Sequence, residues 1–149
     1  MKNILKNSVI ALSFLFLLTG CSKSTKTLTC TMSDEIDDKM SLTQTIVTKF
    51  DNDTVTNIDQ NIKMTVKDDY VSYIEQMAEG VRNQYADIKD KDGIVFDVKV
   101  NGNVIDTTLN AELSKLDDAS KKKLNVNGSS KSTYEEGKKS LEEAGYTCK

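Results

Sequence analysis

Two runs of alternating apolar and polar residues, 40–50 and 54–64, flank an Asp-Asn-Asp turn at residues 51–53. Alternation of this kind puts every second side chain on the same face of a β-strand. Pairing Phe50 with Thr54 across the turn gathers the apolar side chains of both runs on one face. These are Met40, Leu42, Ile46, Phe50, Ile58, Ile62 and Met64. The other face holds Thr43, Thr45, Val47, Lys49, Val55, Asn57, Asp59, Asn61 and Lys63. The pattern predicts a β-hairpin with one face on a core and the other in water.

A second hairpin is indicated by Asn101-Gly102, which lies between two further strand-like runs, 94–100 and 103–109. Asn-Gly favours the two-residue type I′ turn, because both residues tolerate a positive φ. A turn of that kind pairs Val100 with Asn103 and again leaves one face apolar.

Three segments have helical patterns. Asp68 is a good N-cap for a helix with an apolar residue at every third or fourth position. That stripe consists of Tyr70, Ile74, Met77, Val81, Tyr85 and Ile88. Residues 112–124 are a weaker candidate with a thin leucine stripe. Ser132 and Glu135 form a capping box that opens a third helix, which ends at Gly145.

Two more strand-like segments lie at the ends of this region. Leu28, Cys30 and Met32 alternate with polar residues, and residues 146–148 close the chain in extended form. Between these ends, a hairpin followed by a helix occurs twice. The economical architecture is an α+β domain: an antiparallel sheet, built from two β-hairpins plus the terminal strands, with helices packed on one face.

The first 20 residues have the pattern of a secretory signal peptide. Lys2 and Lys6 precede an apolar run, 9–18, and Gly20 is the small residue that a signal peptidase requires before its cut. The run is too short to span a bilayer, which needs about 20 apolar residues. Leu-Thr-Gly-Cys at its end resembles the lipobox of bacterial lipoproteins, whose cysteine is lipidated before cleavage. The resemblance implies that Cys21 becomes the lipidated first residue of the mature chain.

We therefore expect three parts: a lipoprotein signal peptide over residues 1–20, a polar tether over 21–27 and a single folded domain over 28–149. The expected location is the extracytoplasmic face of a bacterial cell membrane, which the protein contacts through the lipid on Cys21. The alternative is an ordinary secretory signal in which that cysteine stands by chance.

Cys30 and Cys148 are then the two remaining cysteines, one near each end of the folded domain. Disulfides persist in exported proteins, so we expect these two residues to be joined. A loop of this length, closed by a disulfide, stabilises a domain by ~4.7 kcal/mol in the chain-entropy model. The alternative is two buried free thiols that pack as small apolar groups.

The charge of the chain argues against nucleic acid as a partner. Without Lys2 and Lys6 the chain has 18 basic and 23 acidic residues, a side-chain net charge of −5. Arg82 is the single arginine, and the one basic cluster, 121–123, follows two aspartates closely. Binding to nucleic acid depends on a basic surface that neutralises phosphates, so we predict none.

The composition also argues against several kinds of catalytic mechanism. The sequence has no histidine, and therefore lacks the usual general base and the commonest transition-metal ligand. Residues 90–93 match a calcium loop only in part, because Ile88 and Lys99 occupy its first and last ligand positions. The acidic run 34–38 could hold calcium weakly but is more typical of a solvated loop. We predict no cofactor, no metal site and no catalytic residue.

The order of several short segments resembles the YehR-like bacterial lipoproteins, a family whose function is unassigned. These segments are the lipobox, Leu-Thr-Cys-Thr-Met at 28–32, Thr-Gln-Thr-Ile-Val-Thr-Lys-Phe at 43–50, Val-Thr-Asn-Ile-Asp-Gln at 55–60 and Leu-Glu-Glu-Ala-Gly-Tyr-Thr-Cys at 141–148. The resemblance spans nearly the whole chain. It implies a small lipid-anchored α+β domain and supplies no catalytic or binding residues.

Two classes of function fit these observations. The first, which we favour, is a non-catalytic module that binds an envelope protein, a polymer or a small solute. Its binding surface would be the polar face of the sheet or the loop Ser33–Lys39. The second is a hydrolase that uses carboxylates alone on an envelope glycan, which requires two acids roughly 5 to 10 Å apart in a cleft. A structural spacer without a partner is a third hypothesis.

Overall fold

The structure is a computed structural model that describes residues 24–126 and 132–149. Among these residues, six strands form one sheet: β1 (Thr25–Glu35), β2 (Met40–Asp51), β3 (Thr54–Val66), β4 (Ile94–Asn101), β5 (Val104–Glu112) and β6 (Thr147–Cys148). Their order is β4-β5-β3-β2-β1-β6, and all neighbours are antiparallel. The helices are a 3₁₀ helix (Asp68–Tyr73), α1 (Ile74–Gln84), α2 (Asp118–Lys123) and α3 (Tyr134–Glu143). The predicted α+β class is confirmed, with the sheet as the larger part.

β1 begins at Thr25, three residues before the predicted start of the folded domain. Thr25 lies opposite Asp51 and Thr27 lies opposite Lys49, so this segment is paired with the end of β2. Threonine has a high β-propensity, which fits a strand better than a tether. Residues 25–27 therefore belong to the sheet, whereas the predicted signal peptide and Cys21 lie outside the described residues.

The first hairpin forms in a register two residues away from the predicted one. Its turn has two residues, and a β-bulge shifts the register between Lys49 and Phe50, where Thr56 is the extra residue of β3. Beyond the bulge, Ile46 pairs with Gln60 instead of Ile58. A shift of two residues keeps each side chain beyond the bulge on the same face of the sheet. The face predicted to be apolar is therefore the same in the observed register.

The bulge also moves Val55 away from the polar face where the alternation placed it. Val55 pairs with Phe50 and packs against two buried clusters. The sequence prediction for Val55 is wrong because Thr56, an extra residue in β3, reverses the alternation near the turn.

The turn of the second hairpin is Gly102-Asn103, one residue later than predicted, so Asn101 pairs with Val104. Gly102 has a φ of 62°, which suits the first position of a type II′ turn. The carbonyl of Asn103 accepts a hydrogen bond from the Val66 N–H at 2.9 Å. The Asn103 Nδ2 donates to the Val66 carbonyl, also at 2.9 Å. These two bonds to β3 explain the later turn.

The first predicted helix is divided into two parts. Residues 68–73 form the 3₁₀ helix, so α1 runs only from Ile74 to Gln84, and its N-cap is Tyr73 instead of Asp68. The Tyr73 side chain makes no capping hydrogen bond. The apolar stripe thus belongs to two helices of different pitch.

The two later helices also begin at residues other than those predicted. β5 extends to Glu112, and α2 starts only after Asp117, whose carboxylate accepts from the Ser120 N–H at 2.7 Å. The capping box of α3 consists of Thr133 and Glu136, one residue later than predicted. Both helices therefore have the side-chain caps that short helices need.

The core lies on the helix-bearing face of the sheet and contains three clusters. The cluster that includes α1 contains Val66, Ile74, Ala78, Val98 and Ile105. The cluster beside α3 contains Leu28, Cys30 and Phe50, against which Tyr134 and Leu141 pack. The third contains Ile88, Ile94, Leu109, Ala111, Leu113 and Leu116. The strand members of these clusters alternate with polar residues, as a half-buried sheet requires.

Adjacent residues of β4 test this assignment of faces. Ile94 is 8% exposed and Val95 is 63% exposed. Ile94→Asp should lower the free energy of unfolding by several kcal/mol, because a carboxylate without a partner would lose its hydration. Val95→Asp should change it by about 0.5 kcal/mol or less. Urea unfolding of both variants measures the difference, and equal losses would contradict the assignment.

Candidate functional site

Two of the three predicted site residues lie in the described part of the chain. Cys30 in β1 and Cys148 in β6 are directly opposite each other, and their Sγ atoms are 2.00 Å apart. Cys30 is fully buried. The two residues are 118 positions apart in sequence, so their bond ties the two ends of the domain together. Cys21 lies outside the described residues.

The described chain begins at the end of the sheet that holds the β2–β3 turn. The Asn52 N–H donates to the Ser24 carbonyl at 3.0 Å, and the Ser24 N–H donates to Asn52 Oδ1 at 3.4 Å. Cys21 precedes Ser24 by three residues, which span at most about 10 Å. A lipid on Cys21 would therefore be close to this turn, and we call this side of the sheet the proximal end.

The opposite, distal end is formed by the β1–β2 loop and the 3₁₀ helix. The Lys67 N–H donates to the Lys39 carbonyl at 2.8 Å, and Lys39 Nζ lies 5.8 Å from the centre of the Tyr70 ring. Asp37 Oδ1 accepts from the backbone N–H groups of Lys39 and Met40 at 2.8 and 2.7 Å. These contacts hold the loop and the 3₁₀ helix against each other as one surface.

Four large apolar side chains are exposed at the distal end. They are Ile36 at 51%, Tyr70 at 37%, Val71 at 40% and Tyr73 at 58% exposure. The one other exposed large apolar side chain among the described residues is Val95, on the polar face of β4. The loop and the helix that carry these side chains are connected by the Lys67–Lys39 hydrogen bond, and exposed apolar groups on one surface are typical of protein interaction sites. We call these four residues the distal patch.

The sequence pattern predicts Tyr70 in the buried stripe of the first helix, and this prediction is wrong. In a 3₁₀ helix there are three residues per turn, so the stripe of α1 does not continue through residues 68–73. Ile74 and Ile88 are buried, whereas Tyr70 is more than one-third exposed. The sequence Tyr-Val-Ser-Tyr at 70–73 could have indicated exposed side chains here, because three large apolar residues within four positions cannot all face one core.

Four carboxylates lie next to Ile36, on the side of the distal patch that the β1–β2 loop forms. Asp34, Glu35, Asp37 and Asp38 are all exposed, as predicted for a solvated acidic run. Because β1 extends to Glu35, the loop itself is limited to residues 36–39. The distal end thus combines apolar side chains with a local excess of negative charge.

The polar face of the sheet, the other surface that the sequence indicated, is occupied by bonds within the protein. Asn61 Nδ2 donates to Asp106 Oδ1 at 2.6 Å, and Asn110 Nδ2 donates to Asp59 Oδ1 at 3.0 Å. Each of these aspartates also forms an ion pair with a lysine, at 3.4 Å for Asp59 and 3.8 Å for Asp106. Since these polar groups already have partners, the distal patch is the stronger candidate site.

A cavity of about 550 Å³ lies at the proximal end and has the size of a ligand-binding cleft. Asp92, Glu112 and Lys115 are among its lining residues. A hydrogen bond from Lys115 lowers the pKa of Glu112 below its usual value. The general acid of a glycosidase needs a raised pKa so that it holds a proton at working pH. Glu112 therefore has the electrostatics of a surface ion pair and gives no support to a carboxylate hydrolase.

Within residues 24–126 and 132–149, no three carboxylate, thiol or imidazole groups lie close enough together to hold a metal ion. None of the described helices is both long and apolar enough to cross a membrane.

Comparison with known proteins shows a shared fold. No family model matches the sequence, and no curated protein matches it. An NMR structure of a protein from Streptococcus pneumoniae TIGR4 is similar with a TM-score of 0.57 and 16% identity, over 100% of this chain and 96% of that chain. The NMR structure of E. coli YehR is similar with a TM-score of 0.58 and 14% identity, over 87% and 93% respectively. The fold is thus YehR-like, and likeness at such low identity shows the fold alone.

The distal patch should contribute little to stability, because its side chains are exposed. Tyr73→Ser should change the free energy of unfolding by about 1 kcal/mol or less, since serine is also a good N-cap for α1. Val66→Ser, at a fully buried position nearby, should lower it by about 2 to 4 kcal/mol. Urea unfolding compares the two, and an equally large loss at Tyr73 would show that its ring is part of the core.

The cysteine pair should be oxidised in exported protein. The intact mass of the full chain, purified from membranes without reductant, should fall by two hydrogen atoms relative to the reduced form. Replacing Cys30 and Cys148 together with alanine should lower the free energy of unfolding by ~2–5 kcal/mol. Two thiols at these positions that react with an alkylating reagent in exported protein would contradict the prediction.

Proposed function

We propose that this protein is a YehR-like bacterial lipoprotein, anchored by lipid on Cys21 at the extracytoplasmic face of the membrane, whose domain acts as a non-catalytic interaction module. One observation carries the proposal. The first strand, β1, begins at the proximal end of the sheet, where Ser24 is hydrogen-bonded to Asn52, whereas the distal patch lies at the other end. A domain tethered at one end and apolar at the other is arranged to meet a partner away from its anchor.

The length of the sheet supports this arrangement. β2 runs from the distal to the proximal end over 12 residues. A strand rises about 3.3 Å per residue, so the two ends are roughly 40 Å apart. With a lipid within about 10 Å of the proximal turn, the patch would project well beyond the lipid headgroups.

The anchor itself is supported by the sequence around the predicted cut. The positive residues, the short apolar run and the lipobox occur in the order that lipoprotein processing requires. Two or three acyl chains on one cysteine hold a protein at a membrane in effect permanently. The anchor would therefore keep the domain at the membrane while leaving its distal end free to bind.

The anchor is tested by Cys21→Ala in the full chain. We expect this variant to incorporate no labelled fatty acid and to remain an unprocessed precursor, because the thiol that accepts lipid is missing. A matched control is Cys30→Ala, which should be lipidated normally. Incorporation of lipid and normal maturation in the Cys21→Ala variant would contradict the anchor.

The interaction is tested by placing a photo-crosslinking amino acid at Tyr73 or at Val95 in intact cells. Both side chains are more than half exposed, but they lie at the distal patch and on the polar face respectively. We expect a discrete cross-linked protein band from position 73 and none from position 95. Bands of equal intensity from both positions, or none from position 73, would contradict a binding role for the distal patch.

A further inference from the structure

We infer that the distal patch binds a basic, apolar segment of another protein, an inference that rests on the proposed interaction module and adds the chemistry of its partner. The partner is identified by two features of the same surface. The patch offers aromatic and branched apolar side chains, and the charge beside it is negative. A segment that combines Lys or Arg with large apolar side chains is complementary to both.

The apolar part of the surface is held in place before a partner arrives. Ile36 follows β1, and Tyr70, Val71 and Tyr73 belong to the 3₁₀ helix. The backbone hydrogen bond from Lys67 to Lys39 connects these two segments. A preorganised surface loses little conformational entropy on binding. Tyrosine is also common among the residues that contribute most to binding energy, because it combines a large apolar ring with a polar hydroxyl.

The charge beside the patch selects among partners. Asp34, Glu35 and Asp38 are exposed carboxylates, and Asp37 holds the turn through its backbone hydrogen bonds. Within residues 34–39 these four acids are accompanied by one base, Lys39. Negative charge at a surface accelerates encounters with basic partners and disfavours acidic ones. It likewise disfavours anionic lipid headgroups and nucleic acid.

A contact within the protein shows how a basic side chain would fit. Lys39 Nζ lies 5.8 Å from the centre of the Tyr70 ring, a cation–π geometry. Tyr73 is the most exposed ring of the patch and lies three residues further along the chain. A lysine or arginine of the partner can approach the Tyr73 ring in the same manner while its alkyl stem covers Val71 or Ile36.

The chemistry of the partner is tested by peptide selection on the full-length protein purified in detergent micelles. A library of random 12-residue peptides is selected on the wild-type protein and depleted on the Ile36→Ser/Tyr73→Ser variant. We expect the retained peptides to be enriched about twofold or more in Lys and Arg and in large apolar residues, relative to the unselected library. Retained peptides without basic enrichment, or no peptides that distinguish the two proteins, would overturn the inference.

Charge reversal of the acidic residues provides the matched control. For a labelled peptide from the selection, Glu35→Lys/Asp38→Lys should weaken binding by about tenfold at low salt, measured by fluorescence anisotropy. Asp90→Lys/Asp92→Lys, which reverses two exposed acids at the proximal end, should leave the affinity unchanged within twofold. Equal effects of the two double variants would show that only the net charge matters and would overturn the assignment to the distal end.

The two proposals fail in different ways. No cross-link from position 73 in cells overturns the interaction module itself. A cross-link from position 73, together with selected peptides that have no basic residues, leaves the module in place and overturns the chemistry assigned to its partner.

Discussion

β1 is the element on which the rest of the arrangement depends. All of its residues, Thr25–Glu35, pair with β2, and its other edge holds the last strand through Cys30 and Cys148. Leu28 and Cys30 are fully buried beneath α3, so the strand cannot slide without exposing them. Since β1 runs along the whole length of β2, it places Thr25 at the proximal end and the loop after Glu35 at the distal end. The separation of Thr25 from the distal loop is thus a property of a single strand whose central residues are buried.

The sequence predicted the faces of the strands well and their registers poorly, for a physical reason. Alternation has a period of two, so any shift by two residues gives the same apolar face. The actual registers depend on the bulge before Phe50 and on the two hydrogen bonds between Asn103 and Val66, which are contacts between distant parts of the chain. No local pattern contains that information. The α+β class follows from the faces alone and was therefore predictable.

The candidate site was predictable in part. The acidic run was visible in the sequence, and its exposure agrees with the structure. The apolar part of the site was not predicted, because the spacing of Tyr70 matches the buried stripe of an α-helix. Residues 68–73 instead form a 3₁₀ helix, in which Tyr70 does not belong to that stripe. The acidic run and the apolar side chains of the 3₁₀ helix lie at the same end of the sheet because the backbone of Lys67 bonds to that of Lys39. These two residues lie at the two ends of the long β2–β3 hairpin. A binding surface formed in this way becomes visible only once the hairpin is folded.

We propose that the distal patch points away from the membrane to which a lipid on Cys21 would anchor the protein, and one measurement tests this orientation. A fluorescent amino acid is placed at Asp53 in the proximal turn or at Asp38 in the distal loop, both exposed positions. Each full-length protein is purified with its lipid and reconstituted into vesicles that carry a short-range quencher on their headgroups. We expect strong quenching at position 53 and almost none at position 38. Equal quenching at the two positions, or stronger quenching at position 38, would contradict it.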